Sequence, residues 1–194
     1  MSDDFDKSSF KTYLTLHNNS SNKNNIHSHY FDSIFGYTKY SKTLNSHLWK
    51  KAVNGIELPA HIQKIQDKLD DAIKNSKKVS DSFIVYSGVK NRKNTMPSHL
   101  SEFGEVLTPS YISASTSPRI AHSFSEKDEN GNTHILRIRV PNNFQHGAFV
   151  ANMSEHPYEK EFLIQNNRPL LIHSTPTIIK HNDASVHIWD AEIK

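Results

Sequence analysis

Glu159 and Glu161 stand at the entrance to an apolar run, Phe162-Leu163-Ile164. In extended chain an i, i+2 spacing sends both side chains to one face. Two carboxylates aimed at one place suit the breaking of a glycosidic bond: one stabilises an oxocarbenium-like sugar, and the other takes a proton from the incoming nucleophile. The alternative is that Glu-Lys-Glu is a solvated strand edge, which a chain with 20 acidic side chains readily produces by chance.

Two further runs carry polar chemistry. Tyr111-Ile112-Ser113-Ala114-Ser115-Thr116-Ser117 is hydroxyl-rich and precedes Pro118. Its hydroxyls could bond a ligand amide or cap the helix that Pro118 opens. For Ser117, directly before the proline, the cap is the stronger reading, and for Ser115 the two are even. Phe83-Ile84-Val85-Tyr86-Ser87-Gly88 reads as a strand ending in small residues, where backbone can approach a ligand closely or the strand simply stops.

The elements that must hold these residues follow from periodicity. Residues 1–28, crowded with Ser, Asn, Asp and Lys, have little to bury and read as a flexible polar arm, leaving 29–194 as one domain. Leu44, Leu48 and Ala52 mark a short amphipathic helix that Gly55 stops. Ile62, Ile65, Leu69 and Ile73 mark a second that opens near Pro59. After Ser80 the pattern changes to short β-like runs at Phe83–Tyr86, Thr133–Val140, Ala148–Val150, Glu161–Gln165, Leu170–His173 and Val186–Trp189, with a helical turn over Pro118–Phe124 and a loop at Asp128–Asn132. Helices first and strands later predict an α+β fold.

Composition excludes several chemistries. The absence of cysteine removes disulfides, thiolate metal sites and thiol nucleophiles. The 13 histidines lack a convincing helical ligand spacing, so no metal is expected. A net charge of +3, spread without a basic block, argues only weakly for acidic partners, and no segment has the length and apolarity of a membrane span. A soluble, cytoplasmic protein is expected.

In their order and spacing, the three runs resemble the signature of mono-ADP-ribosyltransferases of the Arg, Ser-Thr-Ser, Glu-x-Glu class. Ala121-His122-Ser123-Phe124 after Ser115-Thr116-Ser117 is similar to the run that follows this motif in the Alt and Mod transferases of T-even-like bacteriophages. His134–Pro141, Gly147–Val150, Tyr158–Ile164 and Tyr37–Leu48 extend the resemblance over about residues 30–194. It implies N-terminal helices followed by a mixed two-sheet β core, with NAD⁺ as substrate and no metal.

By the same resemblance Glu161 stabilises the oxocarbenium ion, Glu159 orients and activates the acceptor, and Ser115 holds the catalytic glutamate. Tyr86, Ser87, Gly88, Arg92, Thr116, Ser117 and Phe124 fall at cofactor-binding positions, and Tyr158 at acceptor recognition. Glu rather than Gln at position 159 implies an arginine acceptor on a protein, such as one of the host transcription or translation machinery. An NAD glycohydrolase, a transferase acting on NAD-capped RNA and a non-enzymatic binding module are the alternatives. Ser87 occupies the place of the family's phosphate-binding arginine, for which Arg92, in the same loop, is the expected replacement ahead of Arg119.

Overall fold

The structure, a computed structural model, describes residues 26–76, 78–90, 104–154, 156–181 and 184–194. Most of the proposed polar arm, and Arg92, lie outside the described residues.

Helix α1 spans Ile26–Asn54 and bends at Tyr40, where φ −118° and ψ 18° leave the helical region. The expected short helix is its second half. The buried residues Ile34, Tyr37, Leu44 and Leu48 extend the apolar stripe back across the bend. Gly55 ends the helix at φ 66°, its N–H reaching the Lys51 carbonyl at 3.0 Å, a conformation that glycine takes without steric cost. Helix α2, Ala60–Lys74, follows Pro59 and buries Ile62, Leu69, Ala72 and Ile73, whereas Ile65 remains 39% exposed.

The strands are β1 (Phe83–Gly88), β2 (Gly104–Thr108), β3 (Ile112–Ser115), β4 (Thr133–Val140), β5 (Gly147–Phe149), β6 (Glu161–Ile164), β7 (Arg168–Ile172), β8 (Thr177–His181) and β9 (Ala184–Ile193), with the short helix α3 at Pro118–Ser123. The fold is α+β, as the order of patterns predicts. Strands β2, β3 and β8 appear beyond the expected runs; β3 is part of the hydroxyl-rich segment, whose serines hide its alternation.

Hydrogen bonding follows the path β2-β7-β9-β4-β1-β3-β6-β5, with β8 on the free stretch of β9. Its weakest join is β1 to β3, which share only the pair Tyr86↔Ser115, whereas β1 and β4 share six pairs and β3 and β6 share four. The single nine-stranded path is thus pinched at a seam between β1 and β3.

Two apolar clusters cover the sheet. One gathers Val85, Ala114, Leu136, Ile138, Val140, Phe162 and Ile164 between the sheet halves. In the other, Ile34, Tyr37, Leu44, Ile62, Leu69 and Ile73 of the helices pack against Tyr111, Ala148, Val150 and Leu163. Strand β6 lies between the two clusters, so all four of its residues are buried, Glu161 among them. A charged residue on the first position of a doubly covered strand must be paired, or have its proton affinity altered.

Candidate active site

Glu161 is 5% exposed and faces Ser115 directly across β3 and β6. Ser115 in turn faces Tyr86 across the seam, Tyr86 faces Arg137 on β4, and Arg137 faces Asp190 on β9. Residues directly opposite one another leave the same face of a sheet, so Glu161, Ser115, Tyr86, Arg137 and Asp190 form one row across five strands. Arg137 is held by Asp190 through a two-point pair, its Nη2 lying 2.7 Å from Oδ2. At about 4.8 Å per strand it stands about 14 Å from Glu161.

The two acids converge by a turn rather than by the strand pleat. Pro157–Glu159 is a single 3₁₀ turn, and Lys160 adopts a left-handed conformation at φ 51° and ψ 45°. Glu159 is therefore outside β6, and the expected i, i+2 alignment in extended chain does not occur. The reversal instead leaves Glu159 half-buried and close enough for its charge to disfavour that of Glu161.

Ser115 secures this turn. Its hydroxyl donates to the Glu159 carbonyl at 2.7 Å, and its Oγ accepts the Ser117 N–H at 3.0 Å. The Thr116 N–H reaches the Lys160 carbonyl at 3.4 Å, and the Val150 N–H reaches the Glu161 carbonyl at 3.0 Å. Thus Ser115 acts on the backbone of Glu159, while the hydroxyl that opposes the rise in Glu161's proton affinity is that of Ser113, two residues earlier on the same face of β3. Ser117 occupies the N-cap position of α3 with extended backbone but makes no side-chain cap bond; its own N–H is donated to Ser115 Oγ.

Gly88 is constrained by the chain itself. A Cβ there would lie 2.2 Å from the Ala121 carbonyl oxygen and 2.8 Å from the Ser125 nitrogen, so the close backbone approach is that of α3 packing on β1. Ser87 donates to the Ser113 carbonyl at 2.9 Å across the seam. Thr116 is buried, Tyr86 is half-buried, and Phe124 and Tyr158 are exposed at 43% and 68%. Arg119 is exposed on α3.

Burial pushes the Glu161 carboxyl up to about 7; the neighbouring Glu159 adds to the rise, and Ser113 and the charge of His156 oppose it. Burial also raises Glu159, again against His156. His156, whose ring packs on Tyr158, escapes sequence reasoning because it lies before the turn that folds it back. Tyr37 and Asn45 escape for a different reason: both lie more than 60 residues before β3. The Tyr37 hydroxyl sits 3.1 Å from Ser113 Oγ, and Asn45 bonds both backbone groups of Tyr111 at 3.2 Å.

A shielded carboxyl that ionises near neutrality interacts strongly with a positive charge developing beside it, since little water screens the pair. A half-buried second carboxyl next to it can accept a proton from an entering nucleophile. Two grooves of about 590 and 470 Å³ open near β1, β4 and β9, and Glu161 lines neither. Its candidacy as a reactive centre therefore rests on burial and neighbours, not on cavity size. Among the described residues no group of three His, Cys, Asp or Glu side chains could hold a metal ion, and no helix is long and apolar enough to cross a membrane.

A family model described as ADP-ribosyltransferase exoenzyme matches residues 15–194. Among curated protein sequences, none matches the chain. Similar solved structures include an ADP-ribosyltransferase of Clostridium botulinum (TM-score 0.68, 17% identity, 94% of each chain covered). An ADP-ribosyltransferase toxin from Paenibacillus larvae has TM-score 0.66 and 16% identity, with 96% of this chain and 92% of that one covered. A protein of S. aureus, solved with NAD, has TM-score 0.66 and 16% identity, with 96% and 95% covered. These likenesses show a shared fold.

Proposed function

Because the chain belongs to the ADP-ribosyltransferase exoenzyme family, we propose that it cleaves the bond between nicotinamide and ribose in NAD⁺ and transfers ADP-ribose to an arginine of an acceptor protein. The observation that carries this reading is the pairing of a nearly inaccessible carboxyl, Glu161, with the half-buried Glu159 on a turn pinned by Ser115. Glu161 stabilises the ribosyl cation as nicotinamide departs. Glu159 pairs with the guanidinium, which is fully protonated in water, and takes the proton it must lose before its nitrogen can attack.

Ser115, Thr116 and Ser117 keep the turn and the start of α3 in register around the nicotinamide end. Tyr86, Ser87, Gly88 and Phe124 border the cofactor, and the exposed Tyr158 meets the acceptor. With the Ser87 hydroxyl committed to the Ser113 carbonyl, the phosphates need another cation, and Arg92 is our assignment. The phage-type run Ala121-His122-Ser123-Phe124 supports a host protein of the transcription or translation machinery as acceptor, in the cytoplasm.

The test is transfer of labelled ADP-ribose from NAD⁺ to proteins of a bacterial lysate. Label on arginine that is lost in both Glu161→Ala and Glu159→Gln supports the proposal. Nicotinamide release that needs Glu161 but labels no protein makes the enzyme a glycohydrolase, label on NAD-capped RNA changes the substrate class, and no turnover at all rejects enzymatic function.

A further inference from the structure

Asn45 has no freedom in how it presents its amide. Its Oδ1 accepts the Tyr111 N–H at 3.2 Å, so Nδ2 must be on the other side, where one hydrogen goes to the Tyr111 carbonyl at 3.2 Å. The second hydrogen is directed at the Tyr37 hydroxyl, 3.5 Å away. An amide nitrogen only donates, so Tyr37 Oη is the acceptor there. The Tyr37 ring is 1% exposed and packs edge-on against Tyr111 at 5.5 Å, which leaves its hydroxyl proton one partner among the described residues, Ser113 Oγ at 3.1 Å. Ser113 then accepts, and its own single proton is free to point onward. On its strand Ser113 stands two residues before Ser115, the residue directly opposite Glu161, so the two side chains are diagonal neighbours on one face.

We propose that Asn45, Tyr37 and Ser113 form a one-way chain of hydrogen bonds, anchored on the Tyr111 backbone, that presents a donor to Glu161 and fixes its carboxylate toward the reacting sugar. Tyr37 and Ser113 are thereby positioning residues, acting through Glu161. Reversing the chain would turn the Tyr37 proton toward Asn45 Nδ2, which only donates. The fixed direction selects the ionised form of Glu161, the form that stabilises a cation, and counteracts the burial that would otherwise keep it protonated. The other titratable groups facing this carboxyl are Glu159, which disfavours its charge, His156, which favours it, and Tyr37 itself, held protonated by burial and by Glu161. Helix α1 is thus part of the catalytic apparatus and more than a cover for β3 and β6.

This proposal rests on the role assigned to Glu161, so its test needs a readout independent of turnover. The titration of the Glu161 carboxyl, followed by ¹³C NMR, is compared in the wild type, Ser113→Ala, Ser113→Thr and Tyr37→Phe. Ser113 is exposed enough for alanine to leave the fold intact. Losing a donor to a charged group should raise the midpoint by about one pH unit or more, tenfold in proton affinity. Threonine should restore it, and Tyr37→Phe should raise it by a smaller step. If NAD⁺ is turned over, the acid limb of kcat should move up in parallel while KM stays within about twofold. A midpoint unchanged in both Ser113→Ala and Tyr37→Phe overturns the chain. An altered midpoint in a protein that never turns over NAD⁺ supports it while rejecting the proposed function.

Discussion

Replacing Glu161 by glutamine should raise the protein's stability relative to the wild type progressively as pH rises from 4.5 to 8. In the folded state burial places the carboxyl at about 7, against an ordinary value of 4.5. The folded protein therefore binds more protons than the unfolded chain between these values, and its stability falls as pH rises through that window. The interval, at 1.36 kcal/mol per tenfold change in proton affinity, amounts to about 3 kcal/mol. Glutamine keeps the shape and removes the charge, and whatever its amide costs in the same site is the same at both pH values. Thus the mutant's advantage at pH 8 should exceed its advantage at pH 4.5 by about 3 kcal/mol, roughly 6–12 °C in Tm for a chain of this size. Thermal unfolding of both proteins from pH 4.5 to 8 measures it. Equal offsets across the range would show that Glu161 ionises like a solvated acid, and would remove the physical basis for its role.

Two other substitutions test the supports of the site. Ser115→Ala leaves the Glu159 carbonyl and the Ser117 N–H without their 2.7 and 3.0 Å partner, and should cost about 1–3 kcal/mol in urea unfolding. It should lower arginine transfer more than NAD⁺ hydrolysis, because the turn it releases carries Glu159. Gly88→Ala sets a methyl group 2.2 Å from the Ala121 carbonyl; with backbone as the obstacle, α3 must lift from β1, a loss of about 3 kcal/mol or more by denaturant titration, and a stability equal to wild type would contradict the packing.

What the sequence determined is what depends on neighbours within a few positions. Alternation and apolar runs marked Thr133–Val140 at its full length, and punctuation by Gly55 and Pro59 placed the break between the helices. A hydroxyl-rich run before a proline and two glutamates before Phe162 also identified which segments carry chemistry. Tertiary structure decided the rest, because the relevant partners are distant in the chain. Local pattern suggested that Glu159 and Glu161 are aligned by a pleat, but a left-handed Lys160 turns the chain and Ser115, 44 residues away, pins the turn. Ser117, read as a cap, makes no side-chain cap bond, and its N–H goes instead to Ser115 Oγ. Most of all, a glutamate's spelling says nothing about its proton affinity: Glu161 is raised because packing on both faces of β6 strips water from it, and the helix that answers this burial with hydrogen bonds is encoded more than 100 residues earlier.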